Sequence, residues 1–133
     1  MSTINIQDLV QHAISASQKA YAPYSNYPVG AALITPDGQI FTGCNVENAT
    51  YPAGICAERT ALVKAVSEGV HHFNAIAVVT KAGGSPCGIC RQMLYEFAPD
   101  LRVIIADING AIHHDMSLRE LLPLGFSGID LHK

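Results

Sequence analysis

Two apolar periodicities alternate along this chain, and that alternation limits its fold more than any other feature. Ile6, Leu9, Val10, Ala13, Ile14 and the run from Ala16 to Ala20 recur mostly at three- and four-residue steps. The pattern predicts an amphipathic helix to about Lys19, closed by Pro23 and Pro28. Val29 to Ile34 and Gln39 to Cys44 are short apolar-rich runs flanking Thr35-Pro36-Asp37-Gly38, which predicts a β-hairpin. Asn45 to Gly54 reads as loop. From Ile55 to about Glu68 the positions Ala57, Ala61, Leu62, Ala65 and Val66 keep helical spacing, and Gly69 supplies a stop. Ala75 to Thr80 is an unbroken apolar run of strand length. It leads through Gly83-Gly84-Ser85-Pro86 into a third helical pattern at Ile89, Met93, Leu94 and Phe97. Leu101 to Ala106 and Ala111 to His114 predict two short strands around Asn109-Gly110, and Leu118 to Leu122 a helical turn before Pro123. Elements in this order predict a three-layer α/β/α sandwich, with helices on both faces of a mixed sheet of about five strands.

No repeat, linker or low-complexity tract divides the sequence, so residues 1–133 read as one domain. At 49% hydrophobic residues the chain has enough apolar side chains for a single core. Only 14% are Asp, Glu, Lys or Arg, against roughly 25% in an average soluble domain. So few wetting groups imply buried subunit contacts. Eight basic against eleven acidic residues give a net charge of −3, and basic residues cluster nowhere, which argues against a nucleic-acid partner. Met1 to Val10 shows no basic stretch ahead of an apolar run, and nothing approaches the roughly 18 apolar residues of a membrane span. The expectation is a soluble, cytoplasmic protein with no membrane partner.

The four cysteines, Cys44, Cys56, Cys87 and Cys90, are therefore read as chemistry before disulfides. Cys87 and Cys90 stand three apart at the start of the third helix, on one face of its first turn. Unpaired N–H groups and the helix dipole favour thiolate there. Cys56 has the same kind of place at the start of the second helix, and two helix starts pointing at each other can set three thiolates around one cation. Zinc fits such a set, and three sulfurs leave its fourth position open, as a catalytic site requires. Glu58, two residues on, does not share the direction of Cys56 and is placed for proton transfer instead of ligation. Cys44 ends a strand and reads as a small buried hydrophobe. A structural zinc site would draw on two Cys-x-x-Cys knuckles, and a redox pair would explain neither Cys56 nor Glu58. His71-His72 and His113-His114 face different ways and read as solvated surface.

Zinc nucleobase deaminases carry a metal ligand, any residue, Glu, and later Pro-Cys-x-x-Cys, and this chain has Cys56-Ala57-Glu58 followed by Pro86-Cys87-Gly88-Ile89-Cys90. Along nearly its whole length it resembles the small, homotetrameric class of cytidine deaminases. The resemblance runs from Ala22-Pro23-Tyr24-Ser25 and Val29-Gly30-Ala31-Ala32 through Gly43-Cys44-Asn45-Val46-Glu47-Asn48 and Cys56-Ala57-Glu58-Arg59-Thr60 to Ser85-Pro86-Cys87-Gly88 and Leu121-Leu122-Pro123.

That resemblance implies one Zn2+ per subunit on Cys56, Cys87 and Cys90, with zinc-activated water adding to C4 of cytosine while Glu58 shuttles protons to the ring nitrogen and the leaving amine. The substrates it implies are cytidine and 2′-deoxycytidine, for pyrimidine salvage. It assigns Asn45 and Glu47 to the ribose, Tyr27 to packing on the substrate and the Ala57 backbone to the pyrimidine. Tyr27 departs from the family's usual Phe and adds a hydroxyl to the pocket wall. Ala49, Tyr51 and Phe126 match positions that reach a neighbouring subunit's site, Phe126 stacking on the base. Three thiolates on Zn2+ sum to −1 and weaken its Lewis acidity, so a cation must offset them. Arg59 and Arg91 are near, and the resemblance favours Arg59. The rival substrate is another cytosine-bearing small molecule such as blasticidin S, against which Glu47 within the Asn-x-Glu-Asn stretch argues. Polynucleotide editing is opposed by the missing basic groove, and a zinc-stabilised binding module would need a filled fourth ligand.

Overall fold

A computed structural model describes residues 4–131; the first three and last two residues of the single-domain reading lie outside the described residues. Helix α1 (Ile6–Ser17) begins at Asn5, whose side chain accepts the Asp8 N–H, and its buried stripe is Leu9, Val10, Ala13 and Ala16. Strands β1 (Gly30–Ile34) and β2 (Ile40–Cys44) form the hairpin, followed by a short 3-10 turn at Tyr51–Ala53 and helix α2 (Ala57–Ser67). Then come β3 (Ala75–Thr80), α3 (Gly88–Phe97), β4 (Arg102–Asp107), β5 (Ile112–Ser117), α4 (Leu118–Leu121) and α5 (Gly128–Leu131).

The five strands form one mixed sheet in the order β2-β1-β3-β4-β5, with β3 and β4 parallel and the other pairs antiparallel. Because side chains alternate across a strand, each inner strand feeds two cores. Ala31, Leu33, Ile76, Val78, Val103 and Ile105 pack under α2 and α3, while Ala32, Ala75, Ala77, Val79, Ile104 and Ala106 pack under α1. The α1 face is built largely from alanines because the helix lies close. A Cβ at Gly30 would stand 1.9 Å from the Ala13 carbonyl oxygen.

The three-layer sandwich is thus the observed architecture. The first helix ends at Ser17 instead of Lys19, where the Gln18 N–H turns to the Ser15 carbonyl and the Lys19 N–H to that of Ala16. The second begins at Ala57 because Cys56 is its extended N-cap. Strand β5 runs on to Ser117 instead of His114, since Asp115 and Met116 keep pairing with Ile104 and Val103 although the segment is polar. Helix α5, a single turn, had no expectation in the sequence.

Candidate metal centre and active site

The two helix starts that carry the cysteines meet at the carboxyl end of β3. Gly43 of β2 lets α2 cross the sheet in contact, since a Cβ there would lie 2.5 Å from both the Ala57 carbonyl oxygen and the Ala61 nitrogen. This fixes the first turn of α2, and with it Cys56 and Glu58. The start of α3 is set by its loop. Thr80 Oγ1 accepts the Gly84 N–H at 2.6 Å, Pro86 is buried, and Cys87 caps the helix by accepting the Cys90 N–H on its sulfur at 3.5 Å.

The sulfurs of Cys56, Cys87 and Cys90 lie within 4.8 Å of one another, with Cys56 to Cys87 at 3.9 Å and Cys87 to Cys90 at 3.2 Å. Zinc with sulfur ligands at about 2.3 Å needs tetrahedral sulfur–sulfur edges of about 3.8 Å, so the donor set fits the ion. Among the described residues no other group of three metal-capable side chains converges in this way. Cys44 is outside the group. It faces the α1 side of the sheet, half-buried instead of fully buried, and its thiol points to the Lys19 carbonyl at 3.5 Å.

Electrostatics follow from this crowding. A hydrogen bond with Cys90, then the Arg59 guanidinium, pull the Cys56 thiol below its ordinary value. Cys90 is pushed up because it keeps the shared proton in that hydrogen bond, with burial adding to it. Arg59 Nη2 lies 3.9 Å from the Cys56 sulfur and 3.3 Å from the Gly54 carbonyl, while its buried Nε has no hydrogen-bond partner among the described residues. A half-buried cation with an unused buried donor, lying against one of the three sulfurs, is the complement a thiolate set requires. Glu58, 4% exposed, is pushed up to about 7, first by desolvation and then by the neighbouring Cys56 charge.

A cleft of about 550 Å3 opens over these groups, within the 300–1,000 Å3 of small-molecule sites. Its wall includes Cys56, Ala57, Glu58 and Cys87 at one end, Asn45, Glu47 and Tyr51 on one side, and Ser25, Tyr27 and Ser85 at the rim. Asn45 and Glu47 do share a side, and both grip the segment from 24 to 29. Asn45 Oδ1 accepts the Val29 N–H at 2.8 Å and its Nδ2 donates to the Tyr27 carbonyl at 2.9 Å. Glu47 Oε1 accepts the Tyr24 and Ser25 N–H groups at 3.0 and 3.1 Å, and Oε2 accepts the Ser25 hydroxyl. The Ser25 hydrogen bonds hold the Glu47 carboxyl below its ordinary value.

Tyr27 is 42% exposed, its hydroxyl near Gly84 on the far lip of the cleft. Tyr51 lines the cleft and meets the Tyr24 ring edge-on at 6.3 Å. Ala49 is exposed and lies outside this chain's own cleft, as does Phe126, which is 52% exposed. Of the histidines, His113 is exposed and pairs with Asp107 at 2.8 Å, and His71 lies tilted against Phe97.

Sequence reasoning missed four polar anchors. Ser25 buttresses Glu47, and Thr80 holds the turn before α3. Arg91 donates to the Pro86 and Leu121 carbonyls at 2.8 Å each and to the Ser85 hydroxyl, so it serves the loop and not the sulfurs. Gln92 pairs with the backbone of Phe126. Only Thr80 had a signal, a polar residue ending an apolar strand.

Comparison with known proteins agrees with this geometry. A family model described as the cytidine and deoxycytidylate deaminase zinc-binding region matches residues 3–106. Cytidine deaminase of Sporosarcina psychrophila is 45% identical over 131 residues, covering 96% of each chain. That of Halalkalibacterium halodurans is 46% identical over 129 residues, 95% of this chain and 97% of the relative. The crystal structure of cytidine deaminase from Burkholderia pseudomallei superposes with a TM-score of 0.87 at 47% identity, over 92% of this chain and 100% of that one. With its fold, its three converging sulfurs and its sequence all in agreement, the chain belongs to the zinc-binding family of cytidine and deoxycytidylate deaminases.

Proposed function

We propose that this protein hydrolyses cytidine and 2′-deoxycytidine to uridine and 2′-deoxyuridine with release of ammonia, serving pyrimidine salvage as a cytoplasmic homotetramer. The observation that carries the reading is Glu58, a carboxyl 4% exposed at the floor of a nucleoside-sized cleft beside three converging sulfurs. Relatives at 45% and 46% identity over nearly the whole chain bear the name cytidine deaminase, which supports the choice of substrate.

Cys56, Cys87 and Cys90 would hold one zinc ion, whose Lewis acidity, when it is bound, activates water for attack on an amidine carbon such as C4 of cytosine. Glu58 does the proton work. Fixed on the first turn of α2 and shielded from solvent, its carboxyl gives a proton to the ring nitrogen and later passes one to the departing amine. The Ala57 N–H, in the first helical turn, has no acceptor within its helix and is assigned to the pyrimidine. Arg59 offsets the negative charge of the sulfur set. Asn45 and Glu47 take the ribose hydroxyls, and the Glu47 carboxylate repels a phosphate, favouring nucleosides over nucleotides. Tyr27 packs on the substrate. Ala49, Tyr51 and Phe126 complete a neighbouring subunit's cleft, which accounts for exposed aromatic rings on a chain so poor in charge.

The test is the ultraviolet absorbance of cytidine mixed with purified protein, read together with ammonia. Conversion that stops on chelation and returns with zinc is the expected result. Folded, zinc-loaded protein that leaves cytidine and 2′-deoxycytidine unchanged would refute the reading.

A further inference from the structure

The residues that follow the last cysteine hold more than their own helix together. Among the described residues Arg91 has no carboxylate partner. Its guanidinium spends its donors on three neutral acceptors: the Pro86 carbonyl directly before Cys87, the Ser85 hydroxyl at the cleft rim, and the Leu121 carbonyl at the end of α4. Two of these belong to the loop that delivers Cys87, and the third belongs to the C-terminal segment, 30 residues away. Next to it, Gln92 grips the same segment at two points. Its Nε2 donates to the Phe126 carbonyl at 2.6 Å and its Oε1 accepts the Phe126 N–H at 3.3 Å. Between these two anchors Gly125 lies flat on the Tyr95 ring of α3, where a Cβ would be 2.8 Å from ring carbons.

We propose that Arg91 and Gln92 are positioning residues that tie the C-terminal segment 121–126 to the loop carrying Cys87, so that the metal site and this segment shift together. The physical case is one of directions. A planar guanidinium bonds three acceptors at once only while they keep their relative places, so displacement of Leu121 strains the bonds to Ser85 and Pro86. That strain passes through one peptide to Cys87, whose sulfur both caps α3 and belongs to the ligand group. Among the described residues no comparable link to the C-terminal segment runs from α2, whose start is braced by the sheet. The inference rests on the zinc deaminase reading and adds to it a route by which events at the C-terminal segment reach the metal.

Three single variants, Arg91→Lys, Gln92→Leu and Ser85→Ala, test it in the full chain, with zinc release to a chromogenic chelator and the cobalt–thiolate absorption of the Co2+-loaded protein as readouts. Arg91→Lys keeps the charge but cannot fork, and it should speed zinc release about 10- to 100-fold, the usual cost of losing a residue that orients a metal ligand, and shift the cobalt band. Gln92→Leu should move both readouts in the same direction by less. A merely structural role would lower the melting temperature of each variant while release and spectrum stay as in the wild type, and that result overturns the proposal. Gln92→Leu with wild-type release overturns the coupling to the C-terminal segment. Should Arg91→Lys fail to fold, Ser85→Ala removes one strand of the clamp alone, and unchanged release there is likewise fatal. Wild-type protein that binds no zinc and leaves cytidine intact would sink the deaminase reading with it, whereas active, zinc-loaded wild type with unaffected variants sinks the coupling only.

Discussion

The two helix starts that supply the sulfurs look alike in sequence, yet they are held by opposite means. The first turn of α2 is pressed onto the sheet, with Ala57 and Ala61 fully buried over Gly43. The Cys56 side chain makes no capping bond there. The first turn of α3 buries Cys90 but is open on its Gly88 side, where nothing lies within 4 Å of a Cβ, and hydrogen bonds through Cys87, Ser85 and Arg91 set its position. Packing against a sheet admits one position with little tolerance, whereas a hydrogen-bonded loop can adjust by tenths of an ångström at low cost. The division suits the chemistry. The rigid start carries the proton-shuttling carboxyl as well as a ligand, and the adjustable one carries ligands only.

The largest effect that sharpens this contrast is expected from Glu58→Gln. Removing the carboxyl from the packed start while leaving all three sulfurs should cost about 100- to 10,000-fold in turnover, the range for a general acid–base group. Zinc content by atomic absorption should stay at one per chain. A variant with full turnover would remove Glu58 from the mechanism.

Paired glycine substitutions probe the bracing itself. A Cβ at Gly43 would sit 2.5 Å from two backbone atoms of α2, which cannot swing aside. Gly43→Ala should therefore destabilise the fold by about 1–3 kcal/mol, as overpacking does. Gly88→Ala meets open space and should be neutral, or stabilise by about 0.4–1 kcal/mol through reduced freedom of the unfolded chain. Denaturant melts of the two decide, and equal effects would break the distinction between the starts.

Arg59 and Arg91 extend the comparison to the two nearby cations. Arg59 lies against the Cys56 sulfur, while Arg91 is taken up by carbonyls and a hydroxyl. Arg59→Ala is expected to lower kcat about tenfold, at the low end for loss of a group supporting a metal ligand, with fold and zinc content retained. An unchanged rate would end its role in balancing the sulfur charge.

Much of this was legible in the residues because local rules and tertiary needs agreed. The apolar run at Ala75–Thr80 became β3 at its expected bounds, buried along its whole length. The turn Thr35-Pro36-Asp37-Gly38 joined the hairpin, Gly38 adopting a φ of 89°. The sulfur group was legible because helix starts were predicted at both cysteine positions, and the fold brought those starts together. What stayed hidden was set by partners distant in sequence. Asp115 to Ser117 lie past the expected end of the strand at His114, yet β4 offered them an edge to pair with. Asn45 and Glu47 were expected to face the ligand. Their hold on residues 24–29 depends on a strap with no periodicity of its own. Arg91 reads as a charge near sulfur until Leu121 arrives from the far end of the chain.

The smallest effect concerns acid, and it also separates the two sides of the cleft. On the side of β2, the strap at Tyr24 and Ser25 is held by an ionisable acceptor, Glu47. On the side of α3, the clamp is made by Arg91, whose guanidinium keeps its charge at any pH a protein survives. The Glu47 carboxyl is held below its ordinary value of 4.5, with Ser25 as the chief cause. A group whose folded value is depressed stabilises the fold fully above its unfolded value and loses that contribution as pH falls through the folded one. Acidification from pH 5 downward should thus loosen the strap before the α3 loop, with hydrogen exchange rising first at the Tyr24 and Ser25 amides. Because Glu47 is largely solvated, its share of the stability is small, and it is best read as a difference. The melting temperature of wild type minus that of Glu47→Gln should be positive at pH 6 and shrink toward zero below pH 4. A difference independent of pH would mean that the strap is held by shape alone, and the two sides of the cleft would then not differ in how acid reaches them.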